Sequence, residues 1–362
     1  MTLQTQSLNK RSLFVCVAST ELTDQEKKRI SHPIVAGVIL FSRNFENSEQ
    51  LTNLTQQIRL ANDNDLLIIV DNEGGRVQRF KKDGFTHLPS MLTLTDFIEE
   101  NDLKEQEVLS DIGYLMASEV IEHGIDISLA PVLDINNGSD VIGDRAFSNS
   151  AFLAGKYASS FVLGMQEAGM ASVGKHFPGH GSTKEDSHFH TPVDTRTLSE
   201  LMDRDLIPFN HLTKGNLLKG IMPAHIQFTN ICDQPVGYSK KWIDSILKQQ
   251  MNFDGAVFSD DLAMVGASQT KGAEGITQLL SYKERALKAT LAGCDFLLIC
   301  NQPAMVDELL DSLESENLQD SKRQGQLIQQ LKARKIDINR SKISLAKQRV
   351  TKIRESNTVK VD

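Results

Sequence analysis

The chain has 362 residues, 40% of them apolar and 24% charged, with a net charge of −8. That length suffices for one large α/β domain with a sizeable core, and the acidic balance argues against a nucleic-acid footprint or a polybasic membrane patch. No apolar run approaches the ~20 residues of a membrane helix. Behind Lys10-Arg11, the run Leu13–Ala18 is shorter than the roughly 7–15 residues of a signal core and reads as a first strand. Cys16, Cys232, Cys294 and Cys300 are scattered without a C-x-x-C pair. Free thiols in a reducing compartment are expected, and with them a cytoplasmic protein.

Taken in chain order, short apolar runs alternate with helical patterns. Leu13–Ala18 is followed by a short helix over Asp24–Ile30, and Ala36–Phe41 by an amphipathic helix over Ser48–Leu60. Leu66–Val70 ends in Asp71-Asn72-Glu73-Gly74-Gly75-Arg76, then come an irregular part around Gly84–Pro89 and a helix over Lys104–His123. The fourth run, Ile125–Ile135, carries Pro131 and includes Asp134, and a helix over Ala151–Ala168 leads to the fifth, Met170–Gly174. Leu218–Met222 ends in Pro223-Ala224-His225 and precedes a helix over Trp242–Met251. Gly255–Phe258 ends in Ser259-Asp260-Asp261, and a helix over Ile276–Ala292 precedes Phe296–Cys300.

Eight such strands alternating with helices predict a (β/α)8 barrel, because continuous apolar runs suit parallel strands buried on both faces. The barrel is expected over residues 1–301. Residues 302–362 form a C-terminal extension whose helices, Glu308–Glu316, Gln324–Arg334 and Ser341–Arg354, pack on its outside. Arg43, Asp71, Asp134, Lys175, His225, Asp260 and Asn301 fall just past the C-terminal ends of strands, where barrel enzymes build their sites. Each alone is equally a loop polar residue or a helix cap.

The densest chemistry lies between Lys175 and His188, where histidines, acids and glycines crowd a segment that Pro178, Gly179 and Gly181 keep from being helical. Asp186 stands two residues before His188, so its carboxylate can accept the Nδ1 proton and leave Nε2 to exchange protons; the same pair also suits a turn beside a surface histidine. At the seventh strand end one of Asp260 and Asp261 faces the pocket as a nucleophile or base, while the other suits a cap. Arg76, Arg79 and Arg145 with Lys175, His176 and Asp71 would suit a hydroxyl-rich ligand. His176, His180, His188 and His190 also admit an alternative, a metal-dependent barrel hydrolase. Against it, Pro178 and Gly179 keep His176 and His180 off a common helical face, and the first strand ends in no H-x-H.

In ordered blocks, the sequence resembles the β-N-acetylglucosaminidases of glycoside hydrolase family 3, the single-domain bacterial type that acts in cell-wall recycling. The blocks are Val70–Phe80, Ala130–Asp134, Ile142–Phe147, Lys175–His188, Met222–His225 and Phe258–Leu262. The resemblance implies a retaining exo-glycosidase with neither cofactor nor metal. In it Asp260 is the nucleophile, His188 the proton donor and acceptor tuned by Asp186, and Asp71, Arg79, Arg145, Lys175 and His176 hold the N-acetylglucosamine. A His–Asp dyad thus replaces the second carboxylate usual in retaining enzymes. The implied partner is a small carbohydrate, a muropeptide fragment, taken by a monomer without nucleic acid or membrane. Asn72 stands where the family usually has Gln, and Ala146 where Ser is common. Because Asp186 and His188 lie beyond Gly179 and Gly181, the dyad is expected on a flap that closes over the substrate.

Overall fold

The computed structural model describes residues 8–62, 65–183, 191–271, 277–313 and 318–359. Eight parallel strands run β1 (Leu13–Cys16), β2 (Val35–Leu40), β3 (Leu67–Val70), β4 (Ile127–Ser128), β5 (Val173–Phe177), β6 (Gly220–Pro223), β7 (Ala256–Asp261) and β8 (Phe296–Leu298). Their order in the sheet is β4-β3-β2-β1-β8-β7-β6-β5. The seam between β4 and β5 is bridged at Val132 and Lys175, and the N–H of Val173 donates to Ala130 O (2.8 Å) and that of Leu133 to Lys175 O (2.7 Å). The sheet therefore closes into the (β/α)8 barrel that the alternating runs predict. β4 keeps only two ladder residues of an eleven-residue apolar run, consistent with Pro131 having no N–H to give.

Helices α1 (Asp24–Ile30) and α2 (Ser48–Leu60) begin where their sequence signals place them. In α1 Thr23 and Glu26 cap each other's backbone, and in α2 Asn47 accepts the N–H of Gln50 at 2.9 Å. Helix α3 (Met91–Glu100), capped by Ser90, stands between the irregular part around Gly84–Pro89 and the helix expected from Lys104, where no element is expected. Helices α4 (Glu105–Glu122), α5 (Ala151–Glu167), α6 (Leu206–Lys214) and the π-helix α7 (Lys241–Gln250) follow. The helix expected from Ile276 is corrected. Thr277–Leu279 pairs as a strand with Gln269–Lys271, and α8 (Tyr282–Ala292) starts at the Ser281–Glu284 capping box.

Inside the barrel, Phe14, Phe258 and Phe296 pack at centroid distances of 5.8, 5.6 and 5.0 Å, with Ile39, Ile69, Val173 and Met222 around them. Beyond β8 come α9 (Pro303–Leu313), α10 (Lys322–Leu331) and α11 (Arg340–Val359). Helix α10 does more than lie on the outside. Its Leu327, Ile328 and Leu331 join the barrel-interior cluster, and Arg323 pairs with Asp295 at the start of β8 (2.6 Å). It crosses the N-terminal mouth. No helix among the described residues is long and apolar enough to cross a membrane.

Candidate active site

At the opposite, C-terminal mouth lies a cavity of about 510 Å³ lined by Asp71, Glu73, Arg79, Arg145, Lys175, His176, His180, Asp260 and Asp261, with Phe41, Met222 and Met264 among its apolar walls. Asp71 follows β3, and a small hairpin, Asn72–Gly74 against Val77–Gln78, returns the chain so that Arg79 N–H donates to Asp71 O at 3.2 Å. Its turn needs glycine. Gly74 and Gly75 have φ of 114° and 54°, and a Cβ on Gly75 would sit 2.8 Å from Ser90 Cβ.

The hairpin, the Gly143–Arg145 turn and β5 together build one ion-pair network. Lys175 Nζ lies 2.8 Å from Asp71 Oδ1 and 2.6 Å from Glu73 Oε1. Arg79 Nη2 reaches Asp71 Oδ2 at 3.0 Å, and Arg145 grips Glu73 with Nε at 2.9 Å and Nη2 at 2.8 Å. Burial alone would raise the Asp71 and Glu73 carboxyls, but the cations against them hold both below the carboxylate range. Burial alone would likewise lower the Lys175 ammonium, but Asp71 and Glu73 raise it above the ordinary lysine value. Asp71, Glu73 and Lys175 stay charged at neutral pH.

Lys175 and His176 lie within β5 rather than beyond its end. Adjacent strand residues normally face opposite ways, yet both line the cavity. The β5–β6 register shifts between Lys175 and Phe177, as at a bulge that re-aims side chains. Asp134, fully buried, accepts from His176 Nδ1 at 2.7 Å, from the His176 N–H at 3.1 Å and from the His180 N–H at 2.6 Å. That fixes the His176 tautomer, with Nδ1 engaged and Nε2 the remaining ring nitrogen. Burial works against the Asp134 charge, but the two histidines and their N–H groups keep its pKa low. His180 is buried with its pKa pushed down by that burial and by His176, and its ring nitrogens have no hydrogen-bond partner among the described residues.

Of the two acids ending β7, Asp261 is committed to the backbone. Its Oδ1 accepts the N–H groups of Ala263 and Cys300, both at 2.9 Å, which ties β7 to the chain beyond β8. Asp260 lines the same cavity, and its Oδ1 accepts the N–H of Asp261 at 2.8 Å. Beneath them His225 is buried, its pKa pushed down by that burial, and its Nε2 donates to Asp261 O at 3.1 Å. Arg43 binds Asn301 Oδ1 at 2.6 Å, and Arg76 sits half-exposed against the carbonyls of Asp140 and Val141. Asp186 and His188 lie outside the described residues, and so does His190 of the metal alternative.

Glu73 was not singled out as a site residue from the sequence. It stands two residues from Asp71 on a strand-like segment, and that period of two is the signal that could have found it. Asp134 was noted only as a strand-end acid, and its grip on His176 needed the closed barrel to bring β4 and β5 together.

A closed parallel barrel with a charge-paired pocket at its C-terminal mouth is the architecture of a (β/α)8-barrel enzyme. The sequence model described as Glycosyl hydrolase family 3 N terminal domain matches residues 8–351. The chain belongs to that family and is a glycoside hydrolase. It is 46% identical over 302 residues to a beta-hexosaminidase of Bordetella avium, covering 83% of each chain. It is 48% identical over 300 residues to one of Idiomarina loihiensis, covering 83% of this chain and 87% of that one. The structure of NagZ from Neisseria gonorrhoeae in complex with N-trifluoroacetyl-D-glucosamine superposes with a TM-score of 0.85 at 36% identity, over 96% of this chain and 99% of that one.

Proposed function

We propose that this chain is a retaining exo-β-N-acetylglucosaminidase that removes terminal, non-reducing β-linked N-acetylglucosamine from peptidoglycan fragments. The substrate is N-acetylglucosamine β-1,4-linked to 1,6-anhydro-N-acetylmuramic acid, with or without peptide, and the place of action is cell-wall recycling in the cytoplasm. The observation that carries it is the network of Asp71, Glu73, Lys175, Arg79 and Arg145 facing Asp260 across one cavity, donors and acceptors arranged for a hydroxyl-rich ring. The beta-hexosaminidase relatives and the N-acylglucosamine analogue in the gonococcal structure support that sugar. Four free cysteines, three of them buried, fit the cytoplasm.

Asp71, Arg79, Arg145, Lys175 and His176 hold the sugar in this reading. Asp260 attacks the anomeric carbon while His188 gives a proton to the departing oxygen, leaving a glycosyl-enzyme. His188 then takes a proton from the incoming water, which attacks the same carbon, breaks its bond to Asp260 to release the free carboxylate, and restores the original anomeric configuration. Asp186 raises the imidazole's proton affinity for the first step.

The test pairs a chromogenic N-acetylglucosaminide with the matching glucoside. The first should be cleaved far faster, and Asp260→Ala should lower turnover at least about a thousandfold without unfolding the chain. A 5-fluoro N-acetylglucosaminyl inactivator, which keeps the acetamido group on C2, should label Asp260, read by intact and peptide mass; a label on another residue removes Asp260 from its role. Cleavage of the glucoside alone would overturn the sugar assignment.

A further inference from the structure

In the network, Glu73 differs from its neighbour Asp71. It is only 4% exposed, and its carboxylate is occupied: Oε1 takes Lys175 Nζ at 2.6 Å and Arg145 Nη2 at 2.8 Å, while Oε2 takes Arg145 Nε at 2.9 Å. A side chain so enclosed has little capacity left for a ligand. Asp71 is more open and divides its two oxygens between Lys175 and Arg79. Three cations, Lys175, Arg79 and Arg145, thus converge against two carboxylates. Arg145 has no other carboxylate partner within ion-pair distance among the described residues, its remaining bond being Nη1 to Val141 O at 3.3 Å. Without Glu73, a guanidinium and an ammonium that repel each other would share the pocket with one carboxylate fewer.

We propose that Glu73 is a positioning residue, which holds Arg145 and Lys175 apart in charge and together in geometry so that both aim at the bound sugar. This rests on the reading of the cavity as an N-acetylglucosamine site. The hairpin is the means: Gly74 and Gly75 turn the chain directly after Glu73, so the carboxylate enters from one side while Arg145 enters from the Gly143–Arg145 turn and Lys175 from β5. Planar bidentate pairing makes the placement specific, since an ammonium at position 145 could not be gripped by two parallel bonds.

The experiment uses Glu73→Gln and Glu73→Asp in the full chain. Each is assayed for KM and kcat on the chromogenic N-acetylglucosaminide, for competition by free N-acetylglucosamine, and for competition by inorganic sulfate. In Glu73→Gln, KM and the N-acetylglucosamine inhibition constant should both rise about tenfold while kcat stays within roughly threefold, the pattern of lost uniform binding. The unopposed Arg145 and Lys175 should also make it sensitive to sulfate at concentrations that leave the parent unaffected, a change that a merely structural role would not produce. Glu73→Asp, which keeps the charge on a shorter arm, should recover part of the KM and lose the sulfate sensitivity. It also carries the test if Glu73→Gln does not fold.

In a cycle with Arg145→Met, adding Glu73→Gln should raise KM by less than about threefold more. Unchanged KM and sulfate response in Glu73→Gln, a fall in kcat alone, or independent effects in the cycle would each overturn the proposal. If the parent fails to cleave the N-acetylglucosaminide, the functional reading falls. The sulfate arm, read as direct binding by calorimetry, then decides the positioning role by itself.

Discussion

The two mouths of this barrel are built from the same strands and solved in opposite ways. At the N-terminal mouth, α10 lays Leu327, Ile328 and Leu331 into the interior, while Arg323 pairs with the buried Asp295 and Lys332, just past the helix, with the half-exposed Asp65. At the C-terminal mouth no apolar plug stands among the described residues. Lys175 and Glu73, both almost fully buried, face each other at 2.6 Å beneath a cavity. One end uses apolar burial for stability and keeps one partner of each of these pairs, Arg323 or Asp65, open to water. The other withdraws charges from water, at a desolvation cost that hydrogen bonds and pairing offset, and so obtains a rigid polar surface for a ligand. Conserving energy and doing chemistry are divided between the ends of one fold.

The sharpest way to break that comparison is Lys175→Met. It leaves Asp71 and Glu73 as adjacent buried acids with Arg79 and Arg145 alone to oppose them, and breaking a buried pair costs about 3–5 kcal/mol. Urea unfolding should show that loss together with weakened sugar binding. Next comes Ile328→Ala at the other mouth, which should cost about 2–4 kcal/mol by cavity formation while KM stays unchanged. A change in KM with Ile328→Ala would mean that the mouths are coupled and the division is wrong.

That division was partly legible beforehand. The strands could be read because parallel barrel strands are apolar on both faces, so Leu67–Val70 or Ala256–Phe258 announce themselves without periodicity. Asp260 and Lys175 stood out as the polar residues that close an apolar run, although both prove to lie inside their strands. Glu73 did not, because its role depends on Arg145, 72 residues away, and only the folded hairpin shows which acid meets which cation. Helix α3 was hidden by the Gly- and Pro-rich stretch before it, although Ser90 is its cap. The tail's helical segments were expected to pack on the barrel's outside, but nothing local distinguishes that outside from its open end.

Two pH windows should separate the buried acids from the buried histidines. Asp71, Glu73 and Asp134 have folded-state pKa values below their unfolded ones, so their stability is present above the ordinary carboxylate range and is lost as pH falls through that range toward the folded values. His180 and His225 are also depressed, so the unfolded chain takes up their protons first and stability begins to fall below about 6.5. Urea midpoints measured from pH 8 to 3 should therefore decline in two stages. His225→Gln should flatten the first and Glu73→Gln the second.

The smallest effect should come from Lys332→Met. Lys332 lies 2.5 Å from Asp65 and also bonds Leu66 O at 3.0 Å, but Asp65 is half-exposed and water can replace what the ammonium gives. Such pairs contribute about 0–1 kcal/mol and are screened by salt. The unfolding midpoint should shift little at low salt and still less at about 1 M sodium chloride, where screening weakens exposed pairs. Lys175→Met under the same salt should keep most of its deficit, because salt does not reach a pair sealed beneath the pocket. Equal salt sensitivity for the two variants would show that the upper network is as wet as the lower one, and its charges would then be ordinary surface pairs.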